Sequence, residues 1–109
     1  ADKAAAAAVA RAEAIKVQCG QHILSQISSN AQTNIAQAVT TYTAERLRGA
    51  TEAAAEAACG LTDADFPLVS LGRAWIAAMQ AECRRAITDG DDPVWPDFPE
   101  DVSALVARF

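Results

Sequence analysis

"ILSQISSNAQTNIAQAVTTY", Ile23 to Tyr42, decides the shape of this chain. Read by residue type, its centre stops a helix. Ser28, Ser29 and Asn30 offer the backbone alternative hydrogen bonds and favour caps over helix interiors. Read by spacing, the same stretch continues a helix: Ile23, Ile27, Ala31, Ile35, Ala38 and Tyr42 recur every third or fourth residue and share one face. Their steps average about 3.8 residues, nearer an eleven-residue repeat than a heptad, which implies a straight or slightly right-handed course. The spacing extends further than the interruption, so one long helix is expected over residues 1–48, with Gly20 and Ser29 as its weak points.

Working outward, Val9, Ala12, Ile15 and Cys19 carry the same face back towards the N-terminus. The run "AAAAAVA", Ala4 to Ala10, passes directly into Arg11, Glu13 and Lys16, so it reads as helix rather than as the apolar segment of a secretory signal. Asp2 suits a helix N-terminus; Arg46 and Arg48 suit the C-terminus, and Gly49 can cap it. Beyond it, "TEAAAEAACG" predicts a short helix with Thr51 as N-cap and Gly60 as C-cap. "TDAD" predicts the start of a third helix, with Thr62 as N-cap and Asp65 in the role of a capping-box carboxylate. Its expected buried face is Phe66, Val69, Ile76, Met79, Cys83 and Ile87, with Trp75 on the edge.

"GDDPVWPDFPEDV", Gly90 to Val102, ends the helical pattern. Pro93, Pro96 and Pro99 fix their own φ and push each preceding residue towards extended backbone. A stiff connector that reverses the chain is expected, followed by a last short helix, Glu100 to Arg108, whose first position suits Pro99 and whose apolar face is Val102, Leu105, Val106 and Phe109. Trp95 and Phe98 have two readings: they cover the open end of a bundle poor in large side chains, or they anchor another chain.

The length of 109 residues fits one domain. Roughly a quarter of the chain is Ala, while Leu, Ile, Val and Phe together make up about a fifth, near the level at which a monomeric core becomes marginal. Small domains of this kind often gain stability from association. The formal net charge of −5 argues against nucleic acid and against docking on anionic lipid. Charge is unevenly placed: residues 1–48 hold five Lys/Arg and three Asp/Glu, residues 49–109 hold four and eleven. Two solvated faces explain this as well as head-to-tail contact does, since screening at physiological salt acts within about 8 Å.

No residue pattern carries strong chemistry. Cys19, Cys59 and Cys83 are widely spaced, so reduced thiols of a cytosolic protein are expected, with a disulfide between copies as the lesser reading. Cys19 and His22 are one helical turn apart, but zinc wants four ligands, or three and a water. Asp89, Asp91 and Glu100 match three positions of a calcium loop, yet Val94 stands where the turn needs Gly. A single His and no convergent Ser or Cys motif make a non-enzyme the expectation, with no cofactor, metal or small-molecule substrate. The uncharged band Asn30, Gln32, Thr33, Asn34, Gln37, Thr40, Thr41 and Thr43 suits either close helix–helix contact or plain solvation.

"RAWIAAMQAECRRAI", "DPVWPDFPEDV" and "LVARF" in the last third resemble the small helical proteins that accompany tail, collar or fibre components of tailed bacteriophages. The resemblance implies many copies packed in a virion; without it, a cytoplasmic location is the default. The reading is therefore an all-α protein: a long N-terminal helix over 1–48, two helices over 49–90, and a Pro-rich clasp with a short terminal helix over 91–109. The expected role is structural or in assembly, as a homo-oligomer or on a larger partner. Ile23, Ile27, Ile35 and Tyr42 form the expected contact stripe, and Trp75, Trp95 and Phe98 the anchors. The rival is a small acidic monomer that regulates or inhibits a host protein through residues 89–101.

Overall fold

The computed structural model describes residues 2–109 as five helices: α1 (Asp2–Gln26), α2 (Ser29–Leu47), α3 (Glu52–Cys59), α4 (Asp65–Asp89) and α5 (Asp101–Arg108). The all-α class expected from the spacing holds. The expected single helix over 1–48 does not: the chain leaves helical geometry at Ser28, whose φ of −60° and ψ of 159° are extended. The cause is local hydrogen bonding. Ser28 Oγ accepts from the Ala31 N–H at 3.1 Å, and Gln32 Nε2 donates to the Ile27 carbonyl at 2.9 Å. One side chain caps the start of α2 and another satisfies an acceptor freed at the end of α1.

The break does not turn the chain. At 1.5 Å per residue, helices of 25 and 19 residues measure about 37 and 28 Å. The long axis of the molecule is 63 Å, close to their combined length, so α1 and α2 lie nearly end to end. The apolar face survives the interruption, with Ile15, Cys19, Ile23, Ile27, Ala31 and Ala38 all buried. Gly20, the other weak point, stays inside regular helix.

α3 folds back on α2 and is bounded as its sequence implies. Thr51 Oγ1 accepts from Ala54 N–H at 3.2 Å, and Gly60 takes a left-handed φ of 80° that a side chain would strain. At the entry to α4 the Asp65 carboxylate accepts from the Thr62 N–H at 2.9 Å, one arm of the expected box, while Thr62 itself stays outside the helix. α4 then runs antiparallel to the α1–α2 line: Tyr42 of α2 meets Phe66 near its start, Cys19 meets Met79 midway, and Arg11 reaches Ala86 near its end. Its buried face is Val69, Gly72, Trp75, Met79, Cys83 and Ala86. Trp75 is therefore central rather than at the edge, and Phe66, Ile76 and Ile87 flank the face half-buried. The face is rotated because Gly72 and Ala86 admit close neighbours; a Cβ on Gly72 would sit 3.4 Å from Val102 Cγ1 of α5.

Two apolar clusters result, one between α1 and α4 around Met79, the other around Leu61, Val69 and Leu105 where α2, α4 and α5 meet. Among the described residues Asp65 is the buried charge. Arg108 Nη1 lies 2.9 Å from its Oδ1, and Arg108 Nη2 donates to the Gly60 carbonyl at 2.7 Å. That pair fastens the end of α5 to the start of α4.

Candidate functional site

Residues 91–99 carry no helix and run back across the C-terminal half of α4. Side chains of α1 and α4 hold them by polar contacts. Arg11 of α1 donates to the Asp91 carbonyl, Glu82 Oε2 accepts from the Val94 N–H at 2.7 Å, and Trp75 Nε1 donates to the Pro96 carbonyl at 3.1 Å. Arg85 organises the middle contact. It binds Glu82 through two bonds of 2.7 and 2.8 Å and reaches Asp91 Oδ2 at 3.0 Å and Asp89 Oδ2 at 3.4 Å. The Arg85 guanidinium, helped by the Val94 N–H, holds the Glu82 carboxyl at about 2. Arg108 likewise holds Asp65 below its ordinary range, against the opposing effect of burial.

This arrangement assigns the expected anchors. Trp75 is buried, and Phe98 packs edge-on against it with ring centroids 4.9 Å apart at 83°. Trp95 and Phe98 are half-buried against the α1–α4 cluster, and His22 lies 5.6 Å from the Trp95 ring. All three aromatics close the protein's own bundle. Ile23 and Ile27 of the expected contact stripe are buried within the chain, in the cluster shared with α4; Ile35 and Tyr42 are half-buried beside Leu68 and Phe66. The uncharged band is partly spent within the chain. Asn34 Nδ2 donates to the Phe109 carbonyl, and Thr40 and Thr43 donate to carbonyls one turn back on α2.

The acidic loop carries no cation geometry. Asp89 and Asp91 both face Arg85, and among the described residues no three His, Cys, Asp or Glu side chains converge as a metal would require. Among the same residues no helix is long and apolar enough to cross a membrane. Where the α1–α2 break meets α4 and α5, a hollow of about 160 Å³ is lined by Ile27, Ile35, Leu68, Gly72, Ile76 and Val106, with Arg73 on its lining. It has room for one apolar side chain, well short of the 300 Å³ or more usual for a ligand pocket.

What sequence reasoning missed is the outer face of α1. Residues 2–10 are exposed all round. Further along, Val17 and Leu24 remain 56% and 50% exposed although the helix beneath them is packed. With Ala7, Ala10, Ala14 and Gln21 they make alternating steps of three and four, a heptad seam. At 100° per residue this seam lies about half a turn from Ile15, Cys19 and Ile23, the face that meets α4. The signal was present in the sequence, but the buried face used the larger side chains and drew the reading to itself.

No protein-family model, curated protein or solved structure matches the chain.

Proposed function

We propose that this chain is a non-enzymatic assembly protein whose α1 pairs antiparallel with α1 of a second copy. The outer seam of α1 carries the reading. Antiparallel pairing about a two-fold axis between Ile15 and Lys16 sets Ala7 against Leu24, Ala10 against Gln21, and Ala14 against Val17. Each small side chain meets a larger one, so the layers fill evenly. Glu13, which flanks the seam, then faces Gly20, while Arg11 on the other flank is turned to the Ala86 and Asp91 carbonyls of its own chain, and no like charges oppose. Because α4 covers the opposite face, the second copy approaches without collision.

Shape and area support the same reading. A chain of 11.4 kDa exposes 6811 Å², against about 5,800 Å² for a typical monomer of that mass. The excess of about 1,000 Å² is comparable with the 800 Å² or so that each partner buries in a standard interface. The radius of gyration is 18.2 Å, against about 13 Å for a rounded domain of this length. A slender module joined through its arm suits a multi-copy particle, and the likeness to tailed-phage virion proteins proposes that setting.

Light scattering on a size-exclusion column, across a concentration series with reductant present, tests the reading. A species of twice the chain mass is expected to grow with concentration. Val17→Glu with Leu24→Glu should return it to the monomer with unchanged helical circular dichroism, because both positions are exposed. A folded monomer at every concentration would overturn the pairing and leave the acidic regulator as the better reading.

A further inference from the structure

Cys19 and Cys83 lie 64 positions apart in the sequence and meet where α1 crosses α4. Cys19 Sγ is 3.7 Å from the Met79 carbonyl, the acceptor one turn before Cys83 on the same helix. Cys83 belongs to the same buried cluster. Burial, with Cys83 as a neighbouring group, pushes the Cys19 thiol up. Both residues are buried, at 6% and 8% exposure, among Ile15, Ile23, Met79 and Ala86. Cys59 takes no part; it sits at the end of α3, where its sulfur accepts from the Leu61 N–H at 3.3 Å.

We propose that Cys19 and Cys83 are a thiol pair placed to form an intrachain disulfide that staples α1 to α4. The oxidant is a low-molecular-weight disulfide. One cysteine thiolate attacks it, forming a mixed disulfide and releasing one small thiol. The second cysteine then attacks the protein sulfur of that mixed disulfide and releases the other small thiol. The two cysteines lose two electrons and two protons, and the small disulfide gains them as two thiols. The apolar surroundings keep small thiols from the closed bond, so the staple is slow to reopen. It leaves the outer seam of α1 untouched and is therefore independent of the pairing proposed above.

The link closes a loop of about 65 residues, in the range where cross-links restrict the unfolded chain most. Folded Cys59→Ser protein is incubated with oxidised glutathione, then denatured and alkylated without reductant. The mass should fall by about 2 Da, no alkyl group should be taken up, and proteolysis should release one peptide pair joining positions 19 and 83. The melting temperature should exceed that of the reduced protein by roughly 10 °C. A parallel arm runs the exchange during refolding from urea, so that burial does not limit access. Two alkylatable thiols in both arms, a lasting glutathione adduct, or a linked dimer would each overturn the proposal. Cys83→Ala should retain the helical spectrum and lose the oxidant-dependent rise in melting temperature; a rise that persisted would also overturn it.

Discussion

The indole nitrogen of Trp75 and the carbonyl oxygen of Pro96 stand 3.1 Å apart, and this bond joins the middle of α4 to the connector that follows it. Pro96 has no N–H of its own to donate, so its carbonyl is the polar group the main chain can offer here, and the indole meets it. The connector then lays Phe98 on the Trp75 ring and delivers α5 to Gly72.

Trp75→Phe removes the donor while keeping an aromatic ring. The Pro96 carbonyl loses its partner, and a loss of about 1–2 kcal/mol is expected. Thermal melts should show the loss, and limited proteolysis should cut residues 91–99 faster than in the parent. Unchanged melting and unchanged cleavage would show that the bond does not hold the connector.

Gly20 and Ser28 should respond in opposite directions. A Cβ at Gly20 would meet nothing within 4 Å, and the residue is inside regular helix, so Gly20→Ala should stabilise by about 1 kcal/mol. Ser28→Ala removes the acceptor for Ala31 N–H and should destabilise by about 1 kcal/mol. Urea titrations of the two variants, with a common m-value, measure both. A stabilising Ser28→Ala would mean that α1 and α2 merge once the cap is gone.

Acid should loosen the connector. Glu82 has its folded value lowered from 4.5 to about 2, so the stabilisation it provides is fully present above about 4.5 and is lost as the pH falls towards 2. Asp65 is also lowered, by Arg108, and acts in the same direction. Tryptophan emission should therefore shift over that acid window as Trp95 and Trp75 lose their cover. In Glu82→Gln, part of the shift should already be present at neutral pH and the remaining acid response should be smaller. An identical titration in parent and variant would remove Glu82 from the account.

Arg108→Gln tests the fastening of α5. It leaves the buried Asp65 carboxylate without its cation and the Gly60 carbonyl without a donor. Amide exchange should quicken through α5 and the first turn of α4 more than in α1. Uniform quickening over the whole chain would show that the pair supports global stability rather than this one junction.

The helices and most of their ends were legible in the sequence because they rest on short-range chemistry. Thr51, Gly60, Gly90 and the three prolines act on their own or neighbouring backbone, and the three-and-four spacing of Ile15, Cys19, Ile23 and Ile27 marks a face without reference to anything else. The break at Ser28 was not decided there, since cap chemistry and spacing point opposite ways within the same seven residues. The Ser28 and Gln32 hydrogen bonds let the chain have both, a stop in the helix and an unbroken apolar face.

Tertiary structure alone decided which faces are interior. Periodicity gives α1 two apolar faces but does not say which one α4 covers; that follows from the antiparallel return of α4, which takes Ile23 and Ile27 into the core and leaves Val17 and Leu24 outside. It also turned Trp75 inward, because Gly72 and Ala86 make room beside it, and it brought Cys19 to Cys83. Contacts across 64 residues leave no trace in local spacing: they depend on how helices stack, and stacking is set by the volumes that meet, not by the order in which they are written.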